Sequence, residues 1–223
     1  MTDVTRSERR GADSWAQSDV TDVYNRNARL YDLVEAPMEL LLFRRWRPRL
    51  LAGVRGRALE LGVGTGRNFS YYPPEEQATI TGVDAADAML ELAERRRQRL
   101  RLDLTLQLAD AQQLPFPDGS FGTVFAAFVF CSVADPVLGL REAYRVLEPG
   151  GQLRLLEHQR PPNRVLGQLF DRLNPLAVRL SGANVNRRTD ANVRLTRFEG
   201  VSSEGIEPLG IVRLITAHKP EKS

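Results

Sequence analysis

Three glycines follow a short apolar segment in "ALELGVGTGRNF", residues 58–69, and an acidic residue lies inside that segment. Glycines at positions 62, 64 and 66 leave bare backbone that a dinucleotide, a phosphate, another strand or a methyl donor could approach. The dinucleotide fingerprint needs glycine or alanine where Arg67 stands, and a P-loop needs a Gly-Lys-Ser/Thr sequence that does not follow here. The spacing therefore disfavours both of these phosphate-binding loops.

Acidic residues end three successive predicted strands: Glu60 the first, Asp84 the second and Asp110 the third. The carboxyl ends of parallel strands form the ligand-binding edge of an open α/β sheet, and an acid at Asp84 can accept both hydroxyls of a ribose. Asp110 and Ala111 follow where an adenine amino group would lie. These carboxylates repel a pyrophosphate and attract an ammonium or sulfonium group, so the residues favour a cationic nucleoside without phosphate.

Composition predicts one domain without a membrane span. The chain has 223 residues, of which 42% are hydrophobic, and this suffices for one sizeable core. Its sequence holds no apolar run of about 20 residues and no apolar signal segment at its start, so we expect a cytoplasmic location. Cys131 is the only cysteine, which excludes an internal disulfide and a cysteine-based metal site, and we expect no metal.

Alternating strands and helices predict a parallel, doubly wound α/β sheet. Residues 1–22 are polar and are expected to form a flexible N-terminal tail, with helices at 23–33 and 37–51 after it. The predicted strands are 57–63, 79–84, 104–110, 121–130 and 152–158. The predicted helices that follow are a short one near Arg67, 86–101, 136–147, 164–180 with an interruption at Asn174-Pro175, and 189–198. Two strands within 200–219 are expected to close the chain as an antiparallel hairpin.

Four segments, in their order and spacing, resemble the class I S-adenosylmethionine-dependent methyltransferases. The similar branch includes ubiquinone/menaquinone-biosynthesis, phospholipid N- and alkyl-thiol methyltransferases, and the resemblance covers about residues 23–158. The segments are "LELGVGTGRN", "GVDAADAML", "ADAQQLPFPDGSFGTVFAAFVFCSV" and "LREAYRVLEPGGQLRLLEH". The resemblance implies S-adenosyl-L-methionine as the cofactor and a Rossmann-like seven-stranded sheet, mostly parallel with the last strand antiparallel. It also implies one methyltransferase domain at 23–223, with a helical cap at 23–52, a cofactor-binding core at 57–158 and substrate-side elements at 159–223.

The resemblance assigns parts of the cofactor to positions of this chain. The glycines with Glu60 would border the methionine moiety, Asp84 would bind the ribose, and Phe128 would lie near the reactive methyl. Tyr24 and Tyr31 lie where cap helices of the family cover the cofactor and align the substrate. The expected cofactor-binding residues are Glu60, Gly62, Gly64, Gly66, Asn68, Asp84, Ala85, Met89, Asp110, Ala111 and Phe128.

The acceptor side is less defined by the sequence. His158, at the end of the fifth strand, is either a general base or a structural histidine. Cys131 is expected to line the substrate side, with a reactive thiol as the alternative. Arg187 and Arg188 either bind an anionic substrate group or belong to a solvated loop. A phospholipid headgroup amine, a quinone-like ring and an alkyl thiol all remain open as small or lipid-like methyl acceptors.

Two rival functions remain at this point: a non-catalytic nucleotide-sensing or scaffold protein, and an NAD-dependent oxidoreductase, which the glycine spacing disfavours. A nucleic-acid partner is not expected, because the sequence shows no aromatic-basic platform or added RNA-binding module. An apolar stripe with arginines in 37–51 either packs into the core or, as the alternative, makes peripheral contact with the inner membrane face. The sequence carries no signal for the oligomeric state.

Overall fold

The computed structural model describes residues 16–28 and 43–221 and shows a seven-stranded sheet with helices around it. Two short 3₁₀ turns occur at Phe43–Arg45 and Phe69–Tyr71. The strands are β1 (Gly56–Leu61), β2 (Ala78–Asp84), β3 (Thr105–Leu108), β4 (Phe121–Ala127), β5 (Leu147–His158), β6 (Glu199–Gly205) and β7 (Val212–His218). The helices are α1 (17–28), α2 (Arg47–Leu51), α3 (Asp87–Leu100), α4 (Pro136–Val146), α5 (Arg164–Ser181) and α6 (Thr189–Arg194).

The strand order confirms the predicted sheet. It runs β3-β2-β1-β4-β5-β7-β6, and the first five strands pair in parallel. β7 lies antiparallel between β5 and β6, so the predicted closing hairpin is confirmed. The chain moves outward from β1 to β3 and then returns to β4 on the other side of β1. This reversal is the switch point at which a ligand crevice opens beyond the carboxyl ends of the strands.

Apolar side chains cover both faces of the sheet, as a doubly wound fold requires. Leu59 and Leu61 of β1 are buried on the face that α4 covers, together with Leu140. Ala58, which alternates with them along the strand, is buried on the other face with Leu50 of α2. A fully buried leucine contributes about 2 kcal/mol by removing apolar surface from water, so helices stabilise the sheet from both sides.

Three of the strands that lead into the crevice, β1, β3 and β4, end earlier than the sequence predicts, whereas β2 and β5 end at the predicted residues. β1 ends at Leu61 because Gly62 has a φ of +61°, and β4 ends at Ala127 because Phe128 has a φ of +59°. β3 ends at Leu108, two residues before the predicted boundary. The helix predicted near Arg67 is a series of turns that leads into the 3₁₀ turn. The apolar residues after β1 and β4 therefore form turns at the edge of the sheet.

The start of α1 and the continuity of α5 differ from the prediction, and α6 ends at Arg194 instead of the predicted residue 198. α1 begins at residue 17, so residues 17–22 are helical although the sequence placed them in the tail; residues 1–15 lie outside the described residues. α5 is not interrupted at Asn174-Pro175. The Asn174 side chain donates to Asn184 Oδ1 at 3.1 Å and accepts from the Val185 N–H at 2.8 Å. These contacts hold the turn in which Pro175 removes a backbone hydrogen bond.

The described part of segment 37–51 packs against the sheet. Trp46, Leu50 and Leu51 are buried in the core beside α2, and Pro48 lies in the first turn of that helix, where a missing N–H is tolerated. The core interpretation of the stripe therefore holds for Trp46, Leu50 and Leu51. Membrane contact through the segment stays a prediction, and residues 37–42 lie outside the described residues. Among the helices that the structure describes, none is long and apolar enough to cross a bilayer.

Arg145 of α4 holds the irregular connection between β3 and β4. Its guanidinium donates to the carbonyls of Leu114 at 2.9 Å and Phe116 at 2.7 Å, and to Asp118 Oδ1 at 2.8 Å. It also forms an ion pair with Glu142 at 2.8 Å on the same helix. One arginine thus satisfies backbone carbonyls that no regular element pairs at this point.

We expect Arg145→Ala to lower the free energy of unfolding by about 2 kcal/mol, because two carbonyls lose a charged donor. Urea unfolding followed by circular dichroism measures the change. Arg141→Ala, at an exposed position of the same helix, is the matched control and should stay within about 0.5 kcal/mol of the wild type. Equal midpoints for the two variants would contradict the role assigned to Arg145.

Candidate active site

Residues from five strand ends and from α1 line one cavity at the carboxyl edge of the sheet. The predicted residues in its wall are Tyr24, Glu60, Gly62, Gly64, Asn68, Asp84, Ala85, Met89, Asp110, Ala111, Phe128, Cys131 and His158. Gly66, Arg187 and Arg188 lie outside this wall. Tyr31 falls outside the described residues. The structure therefore brings most of the predicted donor-side positions together and separates the two arginines from them.

The three glycines after β1 have different surroundings, although all have positive φ. A Cβ at Gly62 would lie 2.5 Å from the side chain of Val129, and one at Gly66 would lie 2.5 Å from the ring of Phe69. These two glycines allow close packing within the protein. A Cβ at Gly64 would meet nothing within 4 Å. Gly64 is therefore the position at which bare backbone faces the open cavity.

The Asp84 carboxylate joins the turns that follow β1 and β2. Its Oδ2 accepts the N–H of Gly64 at 2.8 Å, and its Oδ1 accepts the N–H of Ala86 at 2.9 Å. Burial raises the pKa of this carboxyl, while hydrogen bonds from the backbone act in the opposite direction. Each oxygen can accept more than one hydrogen bond, so Asp84 retains capacity for hydroxyl donors in the cavity.

Glu60 lies in a buried network beneath the glycine turn. Its carboxylate accepts from the Asn68 amide at 2.5 Å and from the Tyr72 hydroxyl, and Arg47 donates to Asn68 Oδ1 at 2.6 Å. Burial raises the pKa of Glu60 to about 7, although these hydrogen bonds and the Arg47 charge lower it and Asp84 adds to the rise. Asn68 thus supports the turn through Glu60, whose carboxyl lies at the cavity wall.

Glutamines connect the third strand end to α1. The Asp110 side chain accepts the N–H of Gln112 at 2.8 Å, and the Gln112 amide donates to Gln17 Oε1 at 3.1 Å. The same Gln17 oxygen accepts the N–H of Ala134 at 3.0 Å. One side chain of α1 therefore bridges the segments that follow β3 and β4, and this contact holds the helix against the cavity.

Tyr24 anchors the middle of α1 to the acceptor side of the cavity. Its hydroxyl lies 2.6 Å from the Ser132 hydroxyl, in the turn after β4. One residue further on, Asn25 Oδ1 accepts the N–H of Ala88 at 3.2 Å, and Ala28 is buried with Met89. α1 thus contacts both the first turn of α3 and the turn after β4, which is the position expected of a covering helix.

Phe128 begins an aromatic wall in the cavity. Its ring centroid lies 4.5 Å from that of Phe43 and 6.1 Å from that of His158, with which it stacks at an interplanar angle of 25°. Burial lowers the pKa of His158 to about 4, and the Arg187 charge acts in the same direction. At neutral pH the imidazole is uncharged, so it can accept a hydrogen bond but is a weak base.

Glu157, which is not among the site residues predicted from the sequence, fixes the turn after β4. Its Oε1 accepts the N–H groups of Val129 at 2.8 Å and Phe130 at 3.0 Å, and the Phe128 N–H donates to the Leu156 carbonyl at 2.7 Å. Glu157 is fully buried, and burial raises its pKa to about 7. This anchor stabilises the uncommon positive φ of Phe128. An acid inside the apolar strand "LRLLEH" was the available signal.

The environments of Cys131 and Arg187 indicate structural roles. Burial raises the pKa of the Cys131 thiol to about 12, so it is protonated at neutral pH and unsuited to nucleophilic attack. Arg187 donates to the carbonyls of Phe130 at 2.7 Å and Val133 at 2.5 Å. It therefore supports the turn after β4, and its contact with an anionic substrate group stays a prediction. Arg188 precedes the first turn of α6.

Other contributors to the site left weaker signals in the sequence. Gln17 falls in the segment assigned to the tail. Arg47 falls in segment 37–51, where the apolar residues and not the arginines determined the interpretation. Tyr72 lies in a turn without a periodic pattern, yet its hydroxyl bonds Glu60. Among the described residues, no group of three His, Cys, Asp or Glu side chains is arranged to hold a metal ion.

The donor half of the cavity fits a nucleoside that carries an amino-acid chain. The open space beside Gly64 admits a chain close to the backbone. Asp84 lies in the wall with oxygens that would accept ribose hydroxyls, and Met89 and Ala111 are buried apolar residues of the same wall. Carboxyl groups at positions 60 and 84 lie where positive charge would be favoured. S-adenosyl-L-methionine has all of these features.

Comparison with known proteins agrees with this assignment. The methyltransferase-domain family matches residues 59–155. The demethylmenaquinone methyltransferase of Deinococcus radiodurans is 36% identical over 157 residues, which are 68% of this chain and 65% of that protein. The chain thus spans just under two thirds of the length of that curated relative. The ubiquinone/menaquinone biosynthesis C-methyltransferase of Hahella chejuensis is 32% identical over 187 residues, 78% of this chain and 74% of that protein.

A solved structure supports the fold. An S-adenosylmethionine-dependent methyltransferase of Thermotoga maritima matches with a TM-score of 0.64 at 24% identity, over 86% of this chain and 98% of that one. The scaffold and oxidoreductase alternatives find no support in these comparisons. On its sequence relatives, its strand order and the residues of its cavity, the chain belongs to the S-adenosylmethionine-dependent methyltransferases, with relatives in quinone biosynthesis.

Proposed function

We propose that this chain transfers the methyl group of S-adenosylmethionine to a ring carbon of a reduced, quinone-like acceptor in the cytoplasm. The names of its relatives describe demethylmenaquinone and ubiquinone/menaquinone C-methylation. The observation that carries the proposal is the aromatic wall of Phe43, Phe128 and His158 on the acceptor side of the cavity. A flat ring can stack on such a wall.

The donor side of the reaction rests on Gly64, Asp84 and the buried network of Glu60. Bound S-adenosylmethionine supplies an activated methyl group on a sulfonium. Asp84 and the backbone at Gly64 would fix the direction of that methyl by holding the ribose and the amino-acid chain. Precise alignment of two reactants contributes roughly 7–11 kcal/mol to lowering a barrier, so positioning is the main task of these residues.

The acceptor side favours a neutral ring over a charged headgroup. Phe43 and Phe128 offer apolar surface, and the imidazole of His158 is uncharged because burial lowers its pKa to about 4. Arg187 and Arg188 lie outside the cavity wall; Arg47 and Arg67 line it, and Arg47 donates to Asn68 on the donor side. An alkyl thiol would also fit an apolar wall, but it would not use the stacking surface that the rings provide.

His158 would serve as a hydrogen-bond acceptor for a hydroxyl of the reduced ring. When the hydroxyl proton moves toward Nδ1 or Nε2, electron density on the neighbouring ring carbon increases, and that carbon is the nucleophile. Methyl transfer would form the new carbon–carbon bond as the carbon–sulfur bond breaks. The ring carbon would then release its hydrogen as a proton to solvent, and the imidazole would return its proton to the ring oxygen. A weak base suffices because the transfer polarises the hydroxyl in the same step.

Replacement of Asp84 should weaken donor-side binding specifically. We expect Asp84→Asn to reduce the affinity for S-adenosylhomocysteine about thirtyfold in titration calorimetry, because a charged acceptor of hydroxyl hydrogen bonds is lost. Asp87→Asn, an exposed acid three residues later, is the control and should bind like the wild type. Unchanged affinity in Asp84→Asn would show that the ribose is held elsewhere.

The pH dependence of stability should reveal the buried Glu157. Its pKa is raised from 4.5 to about 7 in the folded chain, so its contribution to stability is present below about pH 4.5 and is lost as the pH rises through 7. Glu157→Gln keeps an oxygen for the two N–H groups and cannot ionise. Between about pH 5 and pH 8 the free energy of unfolding of the wild type should fall by about 2 kcal/mol relative to that of this variant.

Urea unfolding across that range measures the difference, and Glu148→Gln, an exposed glutamate of β5, is the matched control. Its profile should run parallel to that of the wild type. If the pH profile of Glu157→Gln is also parallel to that of the wild type, burial does not raise the pKa of the Glu157 carboxyl.

Turnover with three acceptors tests the proposed function. We expect the purified chain to methylate a reduced demethylated naphthoquinone on a ring carbon, as located by mass spectrometry. The oxidised form should not react, because its ring carbon lacks the electron-donating hydroxyl. Phosphatidylethanolamine and an alkyl thiol complete the comparison. Methylation confined to nitrogen or sulfur would replace the ring proposal with the corresponding alternative.

A further inference from the structure

Helix α5 carries an apolar stripe that faces solvent. Val165, Leu169, Leu173, Leu176 and Leu180 recur at intervals of four or three residues, so they follow one face of the helix. Their exposed fractions range from 48% to 77%. Single exposed leucines are ordinary on a protein surface, but five in a row on one helix face mark an interaction site.

The opposite face of α5 is attached to the rest of the protein. Val178 and Asn174 are buried there, and Asn174 bonds Asn184. Near the start of the helix, Arg160 pairs with Asp171 at 2.9 Å and its guanidinium packs against Gly167. The helix is therefore docked through one face, and the leucine stripe is the face that the other described residues leave exposed.

Positive charge accompanies the stripe. Arg172 and Arg179 follow one edge of it at helical spacing, and Arg164 stands at its beginning; all three are exposed. Asp171, the only acid of the helix, is neutralised by Arg160. Leu209 is also exposed, in a loop whose Gly210 lies against Pro162, so this leucine is near the beginning of α5.

We propose that this face of α5, with Leu209, binds the surface of an anionic phospholipid bilayer. An amphipathic helix with leucines on one side and arginines along the edge lies in the interface, where apolar side chains enter the acyl boundary and arginines contact phosphates. A second copy of the chain fits the stripe less well, because a two-fold contact would bring the arginine rows of both copies near each other.

The end of α5 leads to the cavity. Gly182 follows the helix, and a Cβ there would lie 3.5 Å from the Tyr24 ring; Ala183 lines the cavity wall. A bilayer under α5 would therefore lie next to the covering helix α1. Delivery of a lipid-borne quinone by this route rests on the proposed function. The binding of α5 to a bilayer does not.

Vesicle co-sedimentation of the full chain, without methyl donor or acceptor, tests the surface separately from the reaction. We expect the chain to sediment with vesicles of phosphatidylcholine and phosphatidylglycerol, and to sediment less with phosphatidylcholine alone or at high salt. The double variant L169Q/L176Q should lose most of the binding. R172Q and R179Q should each reduce partition onto the anionic vesicles about fivefold.

Matched controls lie on the other edge of the molecule. Leu108→Gln removes an equally exposed leucine from β3, and Arg95→Gln removes an exposed arginine from α3. Both should bind vesicles like the wild type, and thermal melts should show all variants folded, since every substituted side chain is exposed.

Three results would overturn the proposal. They are a wild type that stays in the supernatant with anionic vesicles, leucine variants that bind as the wild type does, and a dimer in sedimentation velocity that L169Q/L176Q dissociates. The last result would assign the stripe to a second copy of the chain. Failure of ring methylation in the acceptor assay would leave the vesicle result unchanged, so the two proposals can fail independently.

Discussion

The hydrogen bonds of one carboxylate determine how the cavity is built. Asp84 holds the N–H of Gly64 on one oxygen and that of Ala86 on the other. This contact ties the turn after β1 to the turn after β2, although the residues are 20 positions apart in the chain. Because Gly64 adopts a positive φ and faces open space, the turn needs an external tie to keep its shape. The donor half of the site depends on that tie.

Two further buried acids stabilise the turns on either side. Glu60 supports the glycine turn through Asn68 and Tyr72, and Glu157 supports the turn after β4 through two backbone N–H groups. Each has its pKa raised to about 7 by burial. A carboxyl in this position costs stability when ionised, but it supplies acceptors that no apolar residue can supply. The chain thus accepts a local cost where the backbone must turn sharply.

The sequence predicted those parts of the molecule that follow from local patterns. Alternating apolar strands and helices gave the sheet, and the glycines with Asp84 identified the donor side, because residue type and strand position determine these features together. Long-range contacts were harder to foresee. Asn174 supports α5 beside Pro175 by accepting the N–H of Val185, and Arg187 donates to the carbonyl of Phe130. Both contacts join residues of different segments of the chain. Spacing alone does not contain this information.

The acceptor side of the cavity is consistent with a reaction in which opposite charges disappear. Methyl transfer from a sulfonium to a partly deprotonated ring would remove a positive and a negative charge together. A surrounding of low polarity favours such a change, since charges that vanish in the transition state need no solvation there. Phe43 and Phe128 supply that surrounding, and a charged histidine would oppose it. The burial that keeps His158 neutral therefore has the same consequence for the proposed reaction as the aromatic wall beside it.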